Sequence, residues 1–242
     1  MANAAFSSEN GDLFSGFASE WWKPKGAFKA LHDLNPLRVA YIQRMVAAHF
    51  GAKGFKKLTV ADVGCGGGLL AEAMAERGAK VKGIDISEAS VAAAQDHAKQ
   101  VGLTIDYAKG TAQDLASAGE KFDLVLSFEV VEHVRDRKAY YHALASLLKP
   151  SGLLVMATVN RTVKSYLLGI VAAEYVLGWI PPGTHDWDDF VKPSELADGL
   201  SVEGLSVQNL MGVAFDPLRG RFAESPHRLD VNYMASFALD VS

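Results

Sequence analysis

The stretch at residues 62–70, DVGCGGGLL, decides the fold. Gly64, Gly66 and Gly68 stand in a G-x-G-x-G pattern. Glycine lets a chain turn tightly and lets a ligand approach the backbone, with the N–H groups of a following helix aimed at it. Such a loop is a weak signal alone and gains weight from its flanks. An apolar run, LTVADVG (58–64), precedes it and reads as a strand; LLAEAMAERG (69–78) follows and reads as a helix stopped by glycine. The pattern then repeats outward. KVKGIDI (80–86) is a strand, and SEASVAAAQDHAKQVG (87–102) is a helix with Ser87 as N-cap. TIDYAKG (104–110), FDLVLSF (122–128) and GLLVMATV (152–159) are further strands. Strand–helix alternation predicts an α/β fold, a doubly wound, mostly parallel sheet with right-handed crossovers. Two late strands, LSVQNLMGVAF (205–215) and NYMASFAL (232–239), predict seven strands in all and an antiparallel closure.

The chain has 242 residues, 49% of them hydrophobic and 21% charged, which reads as globular with room for a sizeable core. A net charge of −4 gives no global field for nucleic acid. A single cysteine, Cys65, rules out an internal disulfide framework and points to a cytoplasmic setting. The first residues lack the basic and apolar blocks of a signal peptide. Residues 1–56 read as an N-terminal helical cap. Its helix is expected over NPLRVAYIQRMVAAHFG (35–51), with Asn35 as N-cap and Pro36 at the first position. The aromatic and basic segment EWWKPKGAFKALHDLNPLR (20–38) reads as a strap docked on the core. Residues 57–242 form the main domain, in which 160–192 are an insertion after the fifth strand.

Asp85 ends the second strand, where an acid can accept hydrogen bonds from both ribose hydroxyls. Two nucleotide ligands compete. A dinucleotide enzyme requires G-x-G-x-x-G, and here the third glycine comes one residue early. S-adenosylmethionine needs no pyrophosphate cradle. Asp62 offers negative charge for its methionine ammonium, and Ala112, Gln113 or Asp114 in GTAQDL (110–115) would border its adenine. The glycine loop, IDI, FDLV and LKPSGLL, in that order, resemble the Rossmann-like class I methyltransferases, whose sheet is seven-stranded.

Longer motifs narrow the resemblance. WWKPKGAFKALHDLNPLR, DVGCGGGLLAEAMAERGAKVKGID, EVVEHV, NRTVKSYLLGIVAAEYVLGWIPPGTHDW, KPSEL and DVNYM occur together and in order. Over nearly the whole chain they are similar to the bacterial ubiquinone-biosynthesis O-methyltransferase family. The resemblance implies methyl transfer from S-adenosylmethionine to a catechol hydroxyl of polyprenylated ubiquinone precursors, at both O-methylation steps. It assigns cofactor contacts to Arg38, Gly64, Asp85 and Phe128. It also implies a peripheral place at the inner membrane and a complex with other enzymes of that pathway. A methyltransferase on RNA 3′ ends and a non-catalytic S-adenosylmethionine-binding scaffold are the alternatives.

A catechol hydroxyl has a pKa of about 10 and must lose its proton, to a base or through a divalent cation. FEVVEHV (128–134) offers both. On a helix, Glu129, Glu132 and His133 would share one face. They are the expected catalytic residues and the expected ligands of a cation, Mg²⁺ above all. The competing reading is a charged first helical turn. His185 in PPGTHDW (181–187) is a further base or ligand. YLLGIVAAEYVLGWI (166–180) is an apolar helix of about 22 Å, short of the ~30 Å bilayer core. It is expected to be a substrate lid that meets the membrane surface through residues 165–180.

Overall fold

The computed structural model describes residues 20–23, 25–26, 28–51, 54–166, 187–216 and 220–240. The expected apolar insertion helix beyond Tyr166 and His185 lie outside the described residues.

Five parallel strands form first: β1 Thr59–Val63, β2 Lys80–Asp85, β3 Asp106–Lys109, β4 Phe122–Phe128 and β5 Leu148–Val159. Helices connect them, α2 Leu69–Glu76, α3 Glu88–Gln100, α4 Ala112–Ser117 and α5 Arg137–Ser146, after the N-terminal α1, Lys29–Phe50. The chain ends with α6 Pro193–Ser201, β6 Leu205–Asp216, β7 Arg221–Ser225 and β8 Asn232–Leu239. The sheet order is β3-β2-β1-β4-β5-β8-β6-β7. β8 runs antiparallel to both β5 and β6, which is the expected antiparallel closure.

The alternation of the strands shows how the two faces are covered. Leu124, Leu126 and Phe128 of β4 enter the core beneath α1, α2 and α3. Val125, between them, enters the core beneath α5 and α6 with Tyr140, Leu144, Leu196 and Leu200. Side chains of period two on a sheet buried on both faces require apolar residues at successive positions. Local caps punctuate the crossovers. The Ser87 hydroxyl accepts from Ser90 N–H at 3.2 Å. Thr111 and Asp114 form a reciprocal capping box at the start of α4.

The structure corrects two expectations. The sheet has eight strands, because the short edge strand β7 pairs with β6. α1 starts at Lys29, so Pro36 lies inside the helix and Asn35 is no N-cap. An interior proline costs about 3 kcal/mol. Burial of Leu34, Val39, Ile42 and Val46 contributes roughly 1.5–3 kcal/mol each and outweighs it. No helix among the described residues is long and apolar enough to cross a membrane.

Candidate active site

The C-terminal ends of β1, β2 and β4 meet at one edge of the sheet, where open α/β sheets bind ligands. The glycine loop lies there. Gly64, Gly66 and Gly68 have φ of 75°, 52° and 92°, a region that side chains disfavour. A Cβ on Gly64 would overlap Val130, so this glycine also serves close packing.

Asp85 sits beside the loop. Its Oδ2 accepts from Gly66 N–H at 2.9 Å and its Oδ1 from Ser87 N–H at 2.8 Å. Burial pushes its pKa up, and these N–H donors oppose that. Asp62, one strand over, is 2% exposed, with Oδ2 unpaired among the described residues. Burial raises its pKa to about 7; the Ala71 N–H opposes the rise, Asp85 adds to it, and Arg38 opposes it.

Arg38 projects from α1 into the same edge. It is 6% exposed and donates from Nη2 to Glu129 Oε1 at 2.7 Å. Its guanidinium carbon lies 5.7 Å from the centre of the Phe128 ring. Ala112 and Gln113 open α4 across the crevice. Ala112 is fully buried, and both polar atoms of the Gln113 amide are buried without a hydrogen-bond partner among the described residues. Asp114 Oδ2 accepts from the Thr111 N–H and hydroxyl as part of the cap.

The FEVVEHV segment corrects the sequence reading. Glu129 has φ 55°, and only Val131–His133 form a 3-10 turn; α5 begins later, at Arg137. Glu129, Glu132 and His133 therefore do not share a helix face. The left-handed residue is held by its N–H to Ala157 O (2.9 Å) and by Arg38. Such a conformation costs of order 1–3 kcal/mol and marks a place where geometry matters more than ease.

Glu132 turns inward. It is 2% exposed, accepts from the Thr158 hydroxyl at 2.9 Å, and leaves Oε1 without a hydrogen bond among the described residues. Burial, then the neighbouring Glu129 carboxylate, pushes its pKa well up. Among the described residues no three His, Cys, Asp or Glu side chains gather to hold a metal ion, so the three-ligand set is not formed. The two carboxylates that do interact are a donor set Mg²⁺ accepts, since it commonly takes one or two carboxylates and completes its shell with water and substrate.

Sequence reasoning missed two neighbours of the glycine loop. Trp21 lies over Gly66 and Gly67, and Trp22 Nε1 donates to Gly67 O at 2.9 Å. The tryptophan density of the strap was the available signal, and it said only that the strap packs somewhere.

Fold and site together define a methyltransferase with a Rossmann-like sheet. A family model for the methyltransferase domain matches residues 61–156. Among solved structures, magnesium protoporphyrin IX methyltransferase from Synechocystis PCC 6803 with bound SAH aligns with TM-score 0.67 at 22% identity, over 95% of this chain and 97% of that one. A possible histamine N-methyltransferase from Thermotoga maritima aligns with TM-score 0.64 at 18% identity, over 96% and 100%. At these identities the likeness establishes the fold.

Sequence relatives go further. The ubiquinone biosynthesis O-methyltransferase of Parvibaculum lavamentivorans is 47% identical over 227 residues, 92% of this chain and 89% of its own. Its namesake from Chelativorans sp. is 49% identical over 228 residues, 92% and 90%. That of Azorhizobium caulinodans is 42% identical over 237 residues, 96% and 93%. The chain belongs to the ubiquinone biosynthesis O-methyltransferase family, and it is an S-adenosylmethionine-dependent enzyme.

Proposed function

We propose that the chain methylates a catechol hydroxyl of polyprenylated ubiquinone precursors, including the step from 3-demethylubiquinol to ubiquinol. The carrying observation is that Asp62, Gln113 and Glu132 each keep a buried, unpaired polar atom at the edge where the glycine loop, Asp85 and Arg38 converge. Buried polar atoms ordinarily find partners, and a cluster of exceptions around one crevice fits a ligand that supplies them. Asp62 then faces the methionine ammonium. Arg38 takes the methionine carboxylate through its fork, and Asp85 takes the ribose. The Gln113 amide offers a donor and an acceptor to the adenine edge, with Ala112 and Phe128 as apolar walls.

The reaction is an in-line displacement at the methyl carbon: the catechol oxygen forms the new bond while the carbon–sulfur bond breaks toward sulfur. Orientation supplies much of the rate. The Glu129–Glu132 pair accepts the hydroxyl proton, and His133 is a further candidate base on its sequence position. Mg²⁺, when bound by Glu129 and Glu132, would lower the pKa of a catechol oxygen. His185 is a further candidate base on its sequence position. Residues 165–180 are proposed to meet the membrane surface and admit the polyprenyl tail. A peripheral position at the inner membrane, and contact with other enzymes of the pathway, follow from such a substrate.

Turnover of labelled S-adenosylmethionine with short-tail catechols, with and without chelator, tests this reading. The wild type methylates the catechol, and Glu129→Gln and Glu132→Gln each lower kcat on the order of 100-fold, the scale of general acid–base catalysis. Cofactor binding without any turnover would leave a scaffold. Unchanged rates in both variants would remove the carboxylates from the chemistry. Liposome flotation of wild type against a Leu167/Leu168/Ile170 triple aspartate variant decides the membrane proposal; equal, negligible binding ends it.

A further inference from the structure

The glycine loop contains one glycine more than a ligand cradle of the G-x-G-x-G kind uses. Gly67 has no positive φ, so backbone conformation does not demand glycine there. Space does. A Cβ on Gly67 would come within 2.5 Å of Trp21 Cδ2, and one on Gly66 within 2.5 Å of Trp21 Cη2. The indole therefore lies flat on two consecutive glycines as on a shelf.

The shelf is built on both sides. Trp21 is 7% exposed, and its ring stacks on Phe28 with centroids 3.8 Å apart and planes within 3°. Its Nε1 donates to Ser90 Oγ, 3.3 Å away at the start of α3. Trp21 thus bridges the loop after β1 and the helix after β2. Trp22 pins the same loop: its N–H reaches Gly67 O, and its ring stacks on His97 at 3.4 Å. Asn35 adds a bond to Leu69 O at 3.1 Å, and Arg38 reaches the far side at Glu129. The N-terminal strap and α1 therefore hold the cofactor loop along its length.

The chemical consequence runs through one peptide. Gly66 N–H donates to the Asp85 carboxylate, the group assigned to the ribose. Whatever sets the Gly66 peptide also sets Asp85. We propose that Trp21 is a positioning residue for S-adenosylmethionine: by filling the shelf over Gly66 and Gly67 it fixes the peptide that orients Asp85, while Trp22 holds the loop from its carbonyl side. The inference rests on the cofactor assignment above.

Calorimetry with S-adenosylhomocysteine on the full chain tests it, alongside steady-state kinetics. Trp21→Ala raises Kd and the KM for S-adenosylmethionine at least 10-fold, with kcat falling less than 3-fold. Trp21→Phe, which still covers the shelf, returns both to within about 3-fold of wild type. Gly67→Ala also weakens binding on its own. In the Trp21→Gly background the same Gly67→Ala change costs less than 2-fold, because the ring and the Trp21 Cβ it collides with are both gone. Tight binding by Trp21→Ala, or Gly67→Ala and Trp21→Gly losses that multiply, overturns the inference. If the Trp21 variants fail to fold, Gly67→Ala alone decides, and equal affinity of Gly67→Ala and wild type overturns the inference. A wild type that binds no S-adenosylhomocysteine overturns the cofactor assignment, and the positioning role with it.

Discussion

Asp62 carries the largest consequence of any one side chain. Its pKa lies near 7 in the fold against an ordinary carboxylate value, because it is buried and has one oxygen without a partner. A raised folded pKa favours the fold fully below the unfolded value, about pH 4, and that advantage is lost as pH rises to 7. Above pH 7 the buried anion is a standing cost in the ligand-free protein. The rise is about three pKa units at about 1.4 kcal/mol each, so the cost is on the order of 4 kcal/mol. Asp62→Asn therefore raises the Tm of the ligand-free protein more at pH 8 than at pH 5, where only part of the advantage has been lost, in paired thermal scans. The same variant binds S-adenosylhomocysteine at least 10-fold more weakly at pH 8, since the anion facing the ammonium is gone. A Tm gain equal at both pH values would show that its ionisation is not what costs stability. Arg38→Lys makes a second test at this scale. Lysine keeps the charge and loses the fork that can hold Glu129 and a ligand carboxylate together. Calorimetry of the variant is expected to show cofactor affinity reduced 10- to 100-fold.

Elements carry the site by their ends. α4 presents Ala112 and Gln113 in its first turn, so its cap sets where they stand. Thr111→Ala removes one half of the capping box and costs about 1 kcal/mol, a fall in Tm of about 2–4 °C for a chain of this size. Cofactor affinity should weaken with it, by severalfold, if Gln113 lines the adenine; calorimetry reads this directly. The sequence announced this element and its neighbours because caps, apolar periodicity and stop glycines are local signals, as at Ser87, Thr111 and Gly102. β7 was illegible: Arg221–Ser225 is a short, half-exposed edge strand with no apolar run to mark it. The start of α1 was misread because Asn35-Pro36 is a strong local cap signal, yet tertiary burial of its apolar face carries the helix through. The turn at Glu129 failed for a similar reason. E-x-x-E-H has helical spacing, but the Glu129 conformation is fixed by Arg38 and Ala157, which lie far away in the chain. Motif order marked Gly64, Asp85 and Arg38, which the structure brings to one edge of the sheet; Trp21 on its glycine shelf needed the structure.

Among the described residues, two parts of the chain, the N-terminal strap with α1 and the sheet with its helices, are held against each other at the glycine-loop edge. The strap and α1 reach the glycine loop, Leu69 and Glu129, while the sheet supplies Asp62, Asp85 and the α4 wall. A net charge of −4 gives this assembly no attraction for a phosphate backbone, and gel shifts with RNA 3′ ends should show no binding at physiological salt. A ligand that touches both parts stabilises them as one. At a concentration 100 times its Kd, a ligand that binds only the folded chain adds about 2.7 kcal/mol. For a chain of this length that is a rise in Tm of about 5–11 °C. S-adenosylhomocysteine should produce that rise in wild type and, at the same absolute concentration, a smaller one in Arg38→Ala, which severs the contact made from α1. NAD at the same concentration should produce none. A shift with NAD, or an undiminished shift in Arg38→Ala, would mean that the ligand is seated on the sheet alone, without the N-terminal helix that the geometry makes part of the site.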